Sequence, residues 1–207
     1  MSWQWPVSVA TDLPTGQHLA LRALRRSDRA QWQVVRERNH ERLAAWEATV
    51  PGESSTRTPF GQLRRGSDRA ARAGAALPFV IEVDGTLVGA MQLFDVIWSS
   101  RRAGSAGYWL DREATGRGYA TWALALLIDH VLLGIGLHRV EVAILPHNAP
   151  SLAVAARLRL PEEGLRRGLM HVEGHWRDHR VFAVVAEDVA PGGYAQGGLI
   201  RLLRRTA

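Results

Sequence analysis

One stretch limits what this chain can fold into more than any other: REATGRGYATWALALLIDH, Arg112 to His130, where two glycines flank an arginine and open onto a long apolar run. The residues before it, GSAGYWL from Gly104 to Leu110, read as a strand, because aromatic and apolar side chains follow a glycine-rich start. The residues after it, Tyr119 to Leu133, are rich in Ala and Leu with neither Gly nor Pro, which predicts a helix of about four turns. A loop of this kind joins a strand to a helix N-terminus, where unpaired N–H groups and the helix dipole favour an anion, most often a phosphate. Gly116 and Gly118 would let backbone approach such a ligand, with Arg112 and Arg117 adding positive charge. The plainer alternative is that the glycines only shape a turn. Neither standard nucleotide fingerprint fits: the chain has no Lys for a P-loop and lacks the third glycine of G-x-G-x-x-G.

A chain of 207 residues, 46% of them hydrophobic, suits one domain with a full core. The absence of Cys rules out a disulfide framework, a thiolate metal site and a cysteine nucleophile. The N-terminus has no basic, then apolar leader pattern, and no run reaches the roughly 18 apolar residues of a membrane span, so a cytoplasmic protein without membrane contact is expected. All 26 basic residues are Arg and the formal charge is +6. That charge predicts attraction to polyanions or to a phosphate-rich cofactor, but no motif for specific nucleic-acid recognition is present.

Gln17 to Leu24 reads as a first strand, and Ser27 or Asp28 is placed to cap a helix that runs toward His40, with a second helical piece through ERLAAWEA. TVPGESSTRTPFG is a loop, and QLRRGSDRAARAGAA a helix with a basic, solvated face. Asp84-Gly85 marks a hairpin between apolar strands, and Glu173-Gly174 a second one. Between them LHRVEVAIL is a strand with Val140, Val142 and Ile144 on one face and Glu141 and Ala143 on the other, followed by a helix with Pro150 in its first turn. The glycine-rich, then basic and apolar C-terminus reads as a frayed tail. Residues 1–16 are expected as an N-terminal arm, 17–189 as the domain and 190–207 as a basic tail. The element order predicts an α+β domain around one mixed sheet.

That order, with GYWLDREATGRGYAT, LHRVEVAILPHNAPS, EEGLRRG and HWRDHRVFAV at their spacings, resembles the GNAT acyltransferase superfamily, in particular the RimJ/RimL type that acetylates protein N-termini, notably of ribosomal proteins. The resemblance implies a central mixed, mostly antiparallel sheet flanked by helices, and acetyl-CoA as cosubstrate with no metal. It also implies phosphate-facing backbone from Thr115, Gly116, Arg117, Gly118, Tyr119 and Ala120. Trp109 and Leu110 would pair with the pantetheine arm, Asn148 would contact that arm, and Ser151 would lie near the thiol. Read without the family, Asn148 caps a helix and Ser151 sits in its first turn. Glu113 stands where the family usually has Gln or Arg, Trp122 where a Glu is frequent, and Leu158, Arg159 and Leu160 where LGF is usual.

Acetyl transfer to an amine needs a neutral amine, a polarised thioester carbonyl and a proton for the departing thiolate. Direct attack in a ternary complex is the expected route, with Ser151 as the proton source. The base is open. Relatives place a Glu at the positions of Ala143 or Met170, so the candidates are the neighbouring His171, whose ordinary pKa suits the task, and then Glu141. Asp178 is expected to orient a backbone turn. His171, His175 and His179 are spaced by four but fall across a predicted hairpin, which does not make a zinc site. The acceptor is expected to be a protein N-terminus, with a small amine as the alternative; a non-catalytic ribosome-binding or CoA-binding protein is the rival of a different class. Monomer and homodimer both fit.

Overall fold

The computed structural model describes residues 3–52 and 58–206. Part of the loop expected after ERLAAWEA, residues 53–57, lies outside the described residues. Eight strands form one sheet: β1 (Ser8–Asp12), β2 (His18–Ala23), β3 (Leu77–Val83), β4 (Thr86–Ile97), β5 (Ala103–Leu110), β6 (Arg139–Ile144), β7 (Glu162–Val172) and β8 (His175–Val185). Their order is β1-β2-β3-β4-β5-β6-β8-β7. Every neighbouring pair is antiparallel except β5 and β6. The helices are α1 (Arg29–Arg38), α2 (His40–Ala44), α3 (Phe60–Arg72), α4 (Tyr119–Asp129), α5 (Ala149–Arg157), α6 (Ala186–Val189) and α7 (Leu199–Thr206).

Both predicted hairpin turns form with two successive left-handed residues, Asp84 (φ 48°) with Gly85 (φ 80°) and Glu173 (φ 49°) with Gly174 (φ 76°), the conformation that matches strand twist. The parallel step follows from the long α4 crossover, since two parallel neighbours cannot be joined by a tight turn. α4 is apolar on nearly all sides, and its residues Thr121–Ile128 are buried. A helix of that pattern needs cover on both faces. The sheet supplies one face and α7 helps to supply the other, within one core that runs from Leu19 and Ile81 through Leu124 and Leu127 to Leu199 and Leu203. A smaller cluster of Leu24, Val35, Val80 and Leu87, with Trp32, Phe60 and Leu63 packed on it, lies beneath α1 and α3.

Both termini differ from the arm and frayed tail expected above. Ser8–Asp12 pairs along β2 as the sheet edge, and the Trp3 indole donates to the Ala71 carbonyl at 2.8 Å. α7 buries Leu199, Leu202 and Leu203 and turns Arg201, Arg204 and Arg205 outward. That i, i+3, i+4 stripe carries the signal of a core-facing helix, masked in the sequence by glycines before it and arginines within it. Asp28 also departs from its expected role. It is buried in a charge pair with Arg22 (2.8 Å) and makes no side-chain cap on α1.

Candidate active site

β5 and β6 pair only through Ala103–Ser105 and Arg139–Glu141, although β5 continues to Leu110 and β6 to Ile144. Beyond Ser105 the two strands part, so one backbone edge of each is left free of the other and a slot opens in the middle of the sheet. The slot leads into a cavity of about 1550 Å³. Trp109, Leu110, Thr115, Gly116, Gly118, Tyr119, Ala120, Asn148 and Ser151 line it.

At its inner end the cavity meets the N-terminus of α4. Gly116 (φ 77°) and Gly118 (φ 79°) both hold left-handed backbone there, and a Cβ at Gly116 would meet nothing within 4 Å, so the loop is open toward whatever it faces. Arg117 is the exception among the loop residues. Its side chain lines a neighbouring depression of about 330 Å³ with Gln17, Arg38 and Glu113. Among the described residues three buried side-chain polar atoms lack a hydrogen-bond partner, and two of them, Tyr108 Oη and Thr121 Oγ1, belong to residues lining this cavity. Unpaired buried polar atoms are costly. A slot with free strand edges, a glycine cradle at a helix N-terminus and two such atoms fits an extended molecule with a polar arm and a phosphate group.

The loop is held from outside by a polar cluster that no motif in the sequence singles out. Asn39, fully buried between α1 and α2, donates through Nδ2 to Asp111 (2.8 Å) and accepts at Oδ1 from the Arg112 backbone N–H (2.9 Å). Arg38 binds both Asp111 and Glu113, and Arg42 donates to the Leu110 carbonyl. Burial pushes the Asp111 carboxyl up, but the hydrogen bonds from Asn39 and Arg38 outweigh it and hold the group below its ordinary range. Glu113, the departure from the family's Gln or Arg, is therefore a partner of Arg38. The Tyr119 hydroxyl donates to Gln17 (2.8 Å), fixing the start of α4 against the β2 end of the sheet.

Asn148 does cap α5, accepting from the Ser151 backbone N–H at 3.2 Å, and both side chains also lie on the cavity wall. Beside Ser151 sits Tyr108, whose hydroxyl burial pushes up to about 12 while the Ser151 side chain pulls the other way; the pair does not reach hydrogen-bond geometry.

The two candidate bases fall elsewhere. Glu141 is not among the cavity-lining residues. Burial raises its pKa, but hydrogen bonds from Arg139 (3.0 Å) and Arg166 (3.0 Å) prevail and keep it below the usual carboxylate range, so it is a locked structural anion. His171 is also off the lining. Its Nδ1 is 2.7 Å from Thr49 Oγ1, its ring meets Trp176 edge-on, and its backbone carbonyl accepts from the Thr49 N–H at 2.8 Å. It clasps the segment after α2 to β7. Met170, on the other strand face from His171, does line the cavity, because side chains alternate along a strand; Ala143 shares Glu141's face and lines it too, two residues beyond the last β5–β6 pair. Asp178 accepts from the Gly168 backbone N–H at 2.8 Å where β7 shifts register, the turn-orienting role expected for it. No group of three or more His, Cys, Asp or Glu residues could hold a metal ion among the described residues.

A family model described as an acetyltransferase (GNAT) domain matches residues 18–160, well over half of the chain. The chain belongs to the GNAT acetyltransferase family. As a member it is an N-acetyltransferase that uses acetyl-CoA. The acetyltransferase is 34% identical to a structure described as Mycobacterium smegmatis RimJ in complex with CoA-disulfide, with a TM-score of 0.87 over 98% of this chain and 95% of that one. A ribosomal-protein-S5-alanine acetyltransferase from Vibrio fischeri matches at 26% identity and a TM-score of 0.75, covering 88% of this chain and all of that one (100%). By sequence, the Escherichia coli [ribosomal protein uS5]-alanine N-acetyltransferase is 25% identical over 163 residues, 78% of this chain and 77% of the relative. The Bacillus subtilis probable N-acetyltransferase YjcK is 32% identical over 105 residues, 51% of this chain; the match spans 58% of YjcK's own length. The expected GNAT fold and acetyl-CoA cosubstrate are thus borne out. No described helix is long and apolar enough to cross a membrane.

Proposed function

We propose that the acetyltransferase moves acetyl from acetyl-CoA to the α-amino group of a protein N-terminus, such as that of a ribosomal protein, by direct attack in a ternary complex. In this reading Trp109 and Leu110 hold the pantetheine arm along the free edge of β5. The backbone of Thr115 to Ala120 holds the pyrophosphate, Asn148 contacts the arm, and Ser151 stands near the thiol. Acetyl-CoA supplies an activated thioester carbonyl. The protein's own contribution is to align the amine with it, exclude water and manage two protons.

The observation that carries the reading is the outer half of the cavity. Its lining there comes from α1, α2 and the β7–β8 hairpin, with Trp32, Trp46, Trp109 and Phe94 on its walls. Trp46 stacks on His147 at 5.3 Å between centroids. Among the described residues its carboxylates, Glu37, Glu47 and Glu173, are matched by Arg36, Arg42 and Arg157, and Glu47 is paired with Arg36. A mouth that is aromatic and charge-balanced suits a peptide end better than a polycationic small amine, which would call for an acidic basin. The full-length likeness to a RimJ structure supports the same substrate class.

The test is acetyl-CoA turnover against peptides that differ in their first residues, the same peptides with a blocked N-terminus but a free lysine, and a set of polyamines and aminoglycosides. Turnover confined to free N-termini is the expected result. Turnover of the small amines alone would move the assignment to the alternative acceptor class.

A further inference from the structure

The geometry points to His179, on β8, as the group that takes the proton from the acceptor amine. The inference rests on the acetyl-transfer reading above and supplies the base that Glu141 and His171 do not. His179 is 4% exposed and lines the same cavity as Ser151, Asn148 and Tyr108. Its Nδ1 lies 3.0 Å from the Arg177 backbone carbonyl. A carbonyl oxygen can only accept, so Nδ1 carries the hydrogen, and in the neutral ring Nε2 bears the free lone pair. Nε2 meets no hydrogen-bonding group among the described residues, nor is it one of the fully enclosed unpartnered atoms. It is therefore the nitrogen that the ring presents to the cavity, in the tautomer that accepts a proton.

The surroundings keep the ring neutral near pH 7. Burial lowers its pKa, while the Arg177 carbonyl and Asp178 act in the opposite sense to a smaller degree. Arg166 on β7 is its register partner and is held by Glu141 of β6. Arg177 and Arg180 flank it in its own strand, and Glu173 lies on the cavity wall near the hairpin turn. Among the described residues no carboxylate forms an ion pair with His179 that would trap the imidazolium once it forms, so the proton can pass on to solvent.

The balance is simple. The ammonium gives one proton to His179 Nε2, and the freed lone pair forms the C–N bond to the acetyl carbon. The C–S bond breaks with its electron pair on sulfur. The second amine proton leaves the new amide nitrogen and is relayed through the Ser151 hydroxyl to the thiolate. His179 returns its proton to bulk water. An α-amine of pKa near 8 is partly neutral at pH 7 without help, so the base contributes at the low end of general-base effects, roughly 10- to 100-fold.

The experiment is kcat/KM for an N-terminal peptide from pH 5.5 to 9.5 in the wild type, His179→Asn and His179→Gln. Asn retains a donor for the Arg177 carbonyl but deletes Nε2. The wild type should show an acidic limb below the ordinary histidine value of about 6.5. Both variants should lose roughly 10- to 100-fold at pH 7, keep the cofactor-induced rise in Tm, and recover as pH climbs past the amine's own pKa. A loss that is constant with pH, or no loss, would overturn the assignment and leave a purely structural histidine. If neither variant folds, wild-type profiles with peptides of different amine pKa decide it. A limb that stays fixed supports His179, and one that follows the amine overturns it. Wild-type inactivity on every amine tested would instead refute the acetyl-transfer reading, and this inference with it.

Discussion

Single residues show how this chain departs from its family and what each departure costs. Arg159 holds left-handed backbone (φ 53°) immediately after α5, where the Leu160 N–H reaches back to the Ala155 carbonyl (3.0 Å) and the Arg159 N–H to that of Ala156 (3.0 Å). That pattern is a helix stop that favours glycine, and the side chain of Arg159 is exposed. Arg159→Gly should therefore raise stability by about 1 kcal/mol with activity unchanged, which a denaturant midpoint at constant m-value would show. In the proposed reading Ser151, on the cavity wall, is the proton source for the thiolate. Ser151→Ala should lower kcat by ten to a few hundredfold while leaving the Kd for CoA within a fewfold and the unliganded Tm unchanged. A Kd that rose in step with the lost activity would make Ser151 a binding residue, and no change in either would leave it a helix-turn serine.

At the scale of elements, the parting of β5 from β6 and the start of α4 act as one device. The parallel pair ends at Ser105 and Glu141, and the loop from Asp111 to Gly118 closes the inner end of the slot that this leaves. Gly118→Asp tests the device. The left-handed backbone at Gly118 (φ 79°) disfavours any side chain, and a carboxylate there would oppose a pyrophosphate directly. A ligand that binds only the folded state adds about 2.7 kcal/mol at a hundredfold excess over Kd. Wild type should thus gain Tm with CoA, and the variant should show no shift. An unchanged shift in Gly118→Asp would place the pyrophosphate elsewhere.

For the whole molecule, the join between α4 and α7 matters most, because it sets the C-terminal segment into the core. Asp129, the last residue of α4, accepts from the backbone N–H groups of Leu199 (2.7 Å) and Ile200 (2.9 Å). Burial nevertheless pushes its carboxyl up to about 6, against those two donors. The folded state then binds this proton more tightly than the unfolded chain does. Its contribution to stability is full below the unfolded value near 4 and falls as pH rises through about 6. Measured against Asp129→Asn, which does not titrate, the wild type should gain about 2 kcal/mol as pH falls from 7 to 4.5. A difference independent of pH would show that the carboxyl titrates normally.

The chain's local chemistry was enough to determine most element types between the two termini, the Asp-Gly and Glu-Gly hairpins, the strand–glycine–helix junction and the burial of Val140, Val142 and Ile144, since each depends on neighbours within a few residues. The motifs together were enough to reveal the GNAT fold and acetyl-CoA. What tertiary structure alone decided depends on residues far apart in the chain. Asn39 reaches Asp111 and Arg112 only because α1 packs beside the end of β5. α7 became part of the core because α4 needed cover on its second face. Whether His171 or Met170 meets the cavity turned on strand face, and a shift of one residue reverses that, whereas Glu141 shares a face with Ala143 and is set aside by its two arginine partners. Along the sequence His171 was the first candidate base and Glu141 the second; across the sheet, Glu141 is held by two arginines, His171 clasps Thr49, and His179 is the one of the three that lines the cavity.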